Sequence, residues 1–111
     1  MNNSGVILVD LDGTLAQYDG YKGHEHIGEP VPLMLLRVRR WLTSGQTVKL
    51  FTARASNPDA IPAIKTWLIK HGIDMEITNQ KDYTAVQIWD DRAIQIIPNT
   101  GLRADRIDDL K

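Results

Sequence analysis

The chain has 111 residues, 42% of them hydrophobic, which suits one compact domain with one core and leaves no room for a second. Its 13 basic and 14 acidic residues nearly cancel, so no overall field draws it to nucleic acid or to an anionic lipid surface. The absence of cysteine excludes a disulfide framework and a thiolate metal site.

No apolar run approaches the roughly 20 residues that span a bilayer. The opening Met-Asn-Asn-Ser-Gly has neither the basic start nor the apolar stretch of a secretory leader, so a cytoplasmic protein without a membrane partner is expected.

Val6 to Val9 is a continuous apolar run ending at Asp10, the pattern of a central parallel strand covered on both faces. Gly13 to Pro30 follows, with four glycines and the cluster His24, Glu25, His26 but no sustained period. It reads as a long loop or small hairpin, a flap over residues 13–30, and loops of this length are usually functional. Pro32 to Ser44 carries Leu35, Val38, Trp41 and Leu42 at helical spacing, with Pro32 in the first turn and Gly45 as the stop, so a first helix is predicted. Val48 to Thr52 is a second short strand ending in a polar residue. Asp59 as cap, Pro62 in the first turn and the stripe Ala60, Ile64, Trp67, Leu68, His71 before Gly72 predict a second helix. Met75–Thr78, Val86–Trp89 and Ala93–Ile97 are read as the third, fourth and fifth strands.

Strands alternating with helices imply a parallel sheet, and ligands bind such sheets beyond the carboxyl ends of the strands. Polar markers fall at those ends: Asp10-Leu11-Asp12-Gly13-Thr14, then Thr52, Lys81 and Asp90-Asp91. Their order and spacing, from Val6 to about Arg92, resemble the four motifs of the haloacid dehalogenase superfamily. The resemblance implies a single domain over residues 1–111, of the α/β, three-layer Rossmann-like kind, with a parallel sheet in the order 3-2-1-4-5. It also implies a phosphatase working through an aspartyl-phosphate.

The residue types suit that chemistry. A phosphomonoester is doubly charged near neutral pH, so a carboxylate attacks it only where cations offset the repulsion, and Mg²⁺ with its preference for oxygen ligands is the usual cation. By the resemblance Asp10 is nucleophile and metal ligand, Asp12 is a ligand through its carbonyl and a proton shuttle through its carboxyl, and Asp90 and Asp91 complete the metal site. The shuttle role requires the neighbouring acids to favour the protonated form of Asp12. Gly13 and Thr14 shape the turn at the phosphate, Thr52 and Ala53 offer hydrogen bonds to it, Lys81 holds it, and Arg54 is placed to reach substrate.

Other readings are weaker. His24 and His26 suggest zinc, but a third ligand is not evident. Arg37, Arg39 and Arg40 read as the exposed face of the first helix rather than a nucleic-acid patch. Trp41 and Trp67 belong to the core, and Trp89 is expected beside the site. A noncatalytic or regulatory phosphate-binding domain is the competing class.

One departure from the family pattern and the lack of room for a cap bear on function. Asn79 to Ala85 gives seven residues between the third and fourth strands, which reach at most about 25 Å and hold no more than one helical turn; the edge strand and Lys81 are affected. The 18 residues from Gly13 to Pro30 are too few for a cap domain, so an open site is expected. Such capless relatives act on macromolecules or close the site with a neighbouring subunit, which makes a homo-oligomer an expected partner. The segments Asp-Leu-Asp-Gly-Thr-Leu-Ala and Ile-Trp-Asp-Asp-Arg are also similar to the phosphatase half of polynucleotide kinase 3′-phosphatases, which implies a phosphate on a nucleotide or nucleic-acid end as substrate.

Overall fold

A computed structural model of the chain describes residues 5–107; the reading of the N-terminal segment falls largely on residues 1–4, outside this range. Four strands, β1 (Val6–Val9), β2 (Thr47–Phe51), β3 (Glu76–Thr78) and β4 (Ala85–Trp89), form one sheet in the order β3-β2-β1-β4, with every pairing parallel. Two α-helices, α1 (Pro32–Thr43) and α2 (Ile61–Lys70), supply the crossovers from β1 to β2 and from β2 to β3. The result is a Rossmann-like α/β fold.

Both helices pack on the same face of the sheet. Ile7 and Val9 of β1 stand level with Val48 and Leu50 of β2, and these four form one buried cluster with Met34 and Val38 of α1 and Ile64, Trp67 and Leu68 of α2. Same-sided helices follow from the topology, since two successive right-handed crossovers moving outward in one direction must lie on one face. The expected third layer is accordingly not seen: among the described residues no α-helix covers the opposite face. The return from β3 to β4 crosses three strand spacings, about 14 Å, and the residues between them manage it without a helix.

The fifth strand read at Ala93–Ile97 is also not formed. Ile96 makes an isolated antiparallel bridge to Arg103, with Ala104 N–H donating to Gln95 O and Ile97 N–H to Leu102 O, so this segment folds back on itself instead of joining β4. The alternation in Ala93–Ile97 suits a strand, but its pairing partner is local. Ile94, Ile96 and Leu102 stay exposed, as do Val86 and Ile88 of β4.

At the helix ends, Pro32 opens α1 as predicted, whereas Asp59 does not cap α2. Asn57 instead accepts from Asp59 N–H and starts a 3₁₀ turn, Pro58–Ala60, that leads into α2. Proline in the first turn tolerates this entry because its missing N–H is an orphan there anyway. Arg39 and Arg40 are exposed, as expected, and Arg37 is half-buried. Arg37 lies over the Trp89 ring, 5.1 Å from its centroid, and Arg39 donates to His71 O at the end of α2, 2.8 Å.

Candidate active site

The chain turns sharply as it leaves β1. Leu11 O accepts from the amides of Thr14, Leu15 and Ala16, and Gly13 N–H donates to Ala16 O, so the backbone circles within six residues and returns toward the sheet. Gly13 adopts φ +87°, a left-handed conformation that glycine enters without penalty. Ala16 then bridges to Pro30, and Trp67 Nε1–H donates to Gly28 O, 2.9 Å. These contacts tie both ends of the 13–30 flap to the core and leave its middle, with Tyr18 and Tyr21, at the surface.

Asp10, at the end of β1, and Asp90 and Asp91, just after β4, come together because β1 and β4 are parallel neighbours. One carboxylate oxygen from each lies within 4.8 Å of the others. The buried Thr14 hydroxyl accepts from Asp91 N–H (3.0 Å), and its hydrogen faces Asp10 Oδ2 (3.5 Å) and Asp91 Oδ1 (3.4 Å). Asp90 Oδ1 accepts from Arg92 N–H, 2.8 Å. Burial first, then the charge of Asp90, then the hydrogen bond and charge of Asp91 push the Asp10 carboxyl up to about 7, with the Leu11 amide opposing. Three carboxylates this close share a site only if one holds a proton or a cation joins them. As hard oxygen donors they fit a divalent ion such as Mg²⁺, which takes few protein ligands.

Asp12 points elsewhere, and its neighbour is a cation rather than the other acids. Arg54 Nε donates to Asp12 Oδ2 at 2.7 Å and Nη2 to Oδ1 at 2.9 Å, a fork that occupies both oxygens. Nη1 donates to His24 O in the flap, 3.2 Å. Arg54 is placed by a 3₁₀ turn, Ala53–Ser56, that begins right after β2, where its own N–H donates to Thr52 Oγ1. The Thr52 hydroxyl, buried at the strand end, keeps its own hydrogen for an acceptor in the cleft.

Asp10, Asp12, Thr52, Ala53, Arg54 and Asp90 line a cleft of about 620 Å³ at the carboxyl ends of the strands, together with Tyr18, Tyr21, His24, Phe51, Asn57, Asn79 and Arg92. Of the residues expected at the site, Gly13, Thr14 and Asp91 do not line the cleft; Thr14 is buried, while Gly13 and Asp91 are exposed. Lys81 is exposed and does not line the cleft. The cations of the cleft are Arg54 and Arg92. Asn57, Asn79 and Arg92 also line the cleft; they belong to none of the four motifs, and their places downstream of β2, β3 and β4 are the signal the sequence offers. His24 lines the cleft but His26 does not, and among the described residues the acidic trio is the group with metal-ligand spacing.

This arrangement defines an α/β protein with an acidic centre at a parallel-sheet end, and the comparisons with known proteins agree at the level of fold. No family model and no curated protein matches the chain. A solved structure does: a conserved protein coded by a locus of Bacteroides thetaiotaomicron, with a TM-score of 0.66 and 20% identity, covering 87% of this chain and 84% of that one. At that identity the likeness concerns the fold. No helix among the described residues is long and apolar enough to cross a membrane.

Proposed function

We propose that the chain is a phosphomonoesterase of the haloacid dehalogenase type, dependent on a divalent cation such as Mg²⁺ and acting on the phosphate of a nucleotide or nucleic-acid end. The observation that carries this reading is the convergence of Asp10, Asp90 and Asp91 beside a cleft that the first two line and that also presents Thr52 and Arg54.

The cation would be held by the carboxylates of Asp10, Asp90 and Asp91, with the Asp12 carbonyl as the further donor that the family resemblance implies. When bound, it keeps Asp10 ionised and offsets the charge of the phosphoryl group. An Asp10 oxygen attacks phosphorus, the bond from phosphorus to the leaving oxygen breaks, and the leaving alkoxide takes a proton from the Asp12 carboxyl. Water then attacks the aspartyl-phosphate, gives its proton to Asp12, and releases phosphate and the Asp10 carboxylate. The Thr52 hydroxyl and the Arg54 guanidinium hold the phosphoryl oxygens. The cleft falls in the 300–1,000 Å³ range of small-molecule sites, and its Tyr18, Tyr21 and Phe51 provide flat surfaces for a base.

The test is a panel of phosphorylated compounds, including aryl phosphates and 3′-phosphorylated oligonucleotides, assayed with and without Mg²⁺. Hydrolysis that needs the ion and disappears in Asp10→Asn supports the reading. Phosphate binding without turnover across the panel would favour a noncatalytic phosphate-binding domain.

A further inference from the structure

In the geometry described, Asp12 is not available for the proton transfers assigned to it. Both of its oxygens accept from Arg54, at 2.7 and 2.9 Å, and the pair is well enclosed, with the Arg54 side chain 8% exposed and that of Asp12 21%. A forked, largely desolvated pair of this kind does not open without a competing partner, since separating it strands a buried charge. Arg54 also holds the flap: Nη1 donates to His24 O, and the guanidinium lies 5.8 Å from the centroid of the Tyr21 ring. The acid, the flap and the cleft therefore meet in a single guanidinium.

Resting on the phosphomonoesterase reading above, we propose that Arg54 is a substrate-binding residue that exchanges partners: it locks the Asp12 carboxylate while the cleft is empty and transfers its fork to the phosphoryl oxygens of the arriving substrate, and the freed carboxylate takes up a proton from solvent that it then passes to the leaving oxygen. A phosphoryl group offers the same bidentate acceptor geometry as a carboxylate and carries more charge, so it is a matched competitor for the fork. Because Nη1 holds His24 O, movement of the guanidinium toward the phosphate draws the middle of the flap with it. Water thus meets a free Asp12 only when substrate is in place.

Partner exchange has a thermodynamic signature that a fixed structural pair lacks. If phosphate must take Arg54 from Asp12, removing the Asp12 carboxylate strengthens phosphate binding, and does so through Arg54. The experiment is a double-mutant cycle on the affinity for inorganic phosphate in the presence of Mg²⁺, by calorimetry, with wild type, Asp12→Asn, Arg54→Lys and the double variant. Asp12→Asn alone should bind phosphate about tenfold more tightly than wild type, and the same change in the Arg54→Lys background should gain about twofold, the part due to loss of a nearby negative charge. Arg54→Gln repeats the cycle if the lysine variant is not folded by near-ultraviolet circular dichroism. Equal gains in both backgrounds, or weaker binding by Asp12→Asn, overturn the exchange while leaving the phosphomonoesterase reading intact. Absence of phosphate binding to wild type with Mg²⁺ overturns both.

Discussion

The carboxylate of Asp91 occupies the space beside residue 13 that any side chain there would need: a Cβ built on Gly13 would lie 2.5 Å from Asp91 Oδ2 and 2.8 Å from its Cγ. Two distant segments of sequence thus touch beside the acidic centre: a side chain at residue 13 would displace the Asp91 carboxylate, and the φ of +87° favours glycine there. Gly13→Ala is expected to cost about 1–2 kcal/mol of stability from the left-handed backbone alone. The displacement of Asp91 should also raise the Mg²⁺ concentration needed for half-maximal activity by roughly tenfold or more. Thermal melts and a Mg²⁺ titration of activity check the two effects separately; an unchanged Mg²⁺ requirement would show that Asp91 plays no part in holding the ion.

Stability should depend on pH and on Mg²⁺ together. The Asp10 carboxyl rises from 3.8 to about 7 in the fold, so between those values the folded state binds a proton that the unfolded chain has lost. The sign follows from linkage: this contribution is fully present below about pH 3.8 and is lost as pH rises through 7. In the absence of divalent ions the group should remove about 1–2 kcal/mol between pH 4 and 7, the shift being discounted for solvent screening at a partly open site. Mg²⁺ competes with that proton, so its stabilising effect should grow from pH 5 to pH 8. Melting temperatures with EDTA and with Mg²⁺ across this range measure both, and a Mg²⁺ increment that shrinks with pH would falsify the assignment of Asp10 as a ligand.

The two aspartates of the first motif should separate cleanly. Asp10→Asn should lower turnover more than about 100-fold with every ester, because the amide cannot form the acyl-phosphate. The same substitution relieves the crowding with Asp90 and Asp91, so the metal-free protein at neutral pH should melt no lower than wild type. Asp12→Asn should lose roughly 100-fold with alkyl phosphates and much less with aryl phosphates whose leaving group needs no proton. Equal losses along a leaving-group series would assign Asp12 to structure rather than proton transfer.

Lys81→Ala discriminates between the family pattern and the geometry found in this chain. Lys81 is exposed and does not line the cleft, so its removal should change kcat/KM by no more than about threefold, the scale of a screened surface charge. A loss of a hundredfold would mean that the β3–β4 link closes over bound substrate and brings the lysine in.

Substrate size is the remaining test. A flap of this length does not enclose a sugar phosphate, and remote contacts must supply the binding energy. We expect kcat/KM for a 3′-phosphorylated oligonucleotide to exceed that for a small sugar phosphate, and Tyr21→Ala, which removes an exposed ring of the cleft, to narrow the difference. Better hydrolysis of small sugar phosphates by a protein that sediments as a monomer would contradict both the open-site argument and the nucleic-acid reading.

Local pattern was enough to locate the four strands of the sheet, both α-helices and the acids. The apolar run Val6–Val9, the helical stripes around Val38 and Ile64, and the aspartates at the ends of the first and fourth strands are all legible in sequence, because burial and strand termination leave their mark within a few residues. What the pattern does not contain is which groups face one another. That Asp12 meets Arg54 rather than Asp10, that Lys81 lies outside the cleft lining, that Asp91 packs on Gly13, and that the segment after β4 folds on itself instead of adding a strand are features of the assembled fold. Side chains at the sheet end are arranged by the three-dimensional register of β1, β2 and β4, and the pairing of charges is decided by distances of 3–5 Å that residues dozens of positions apart acquire only when the sheet is assembled.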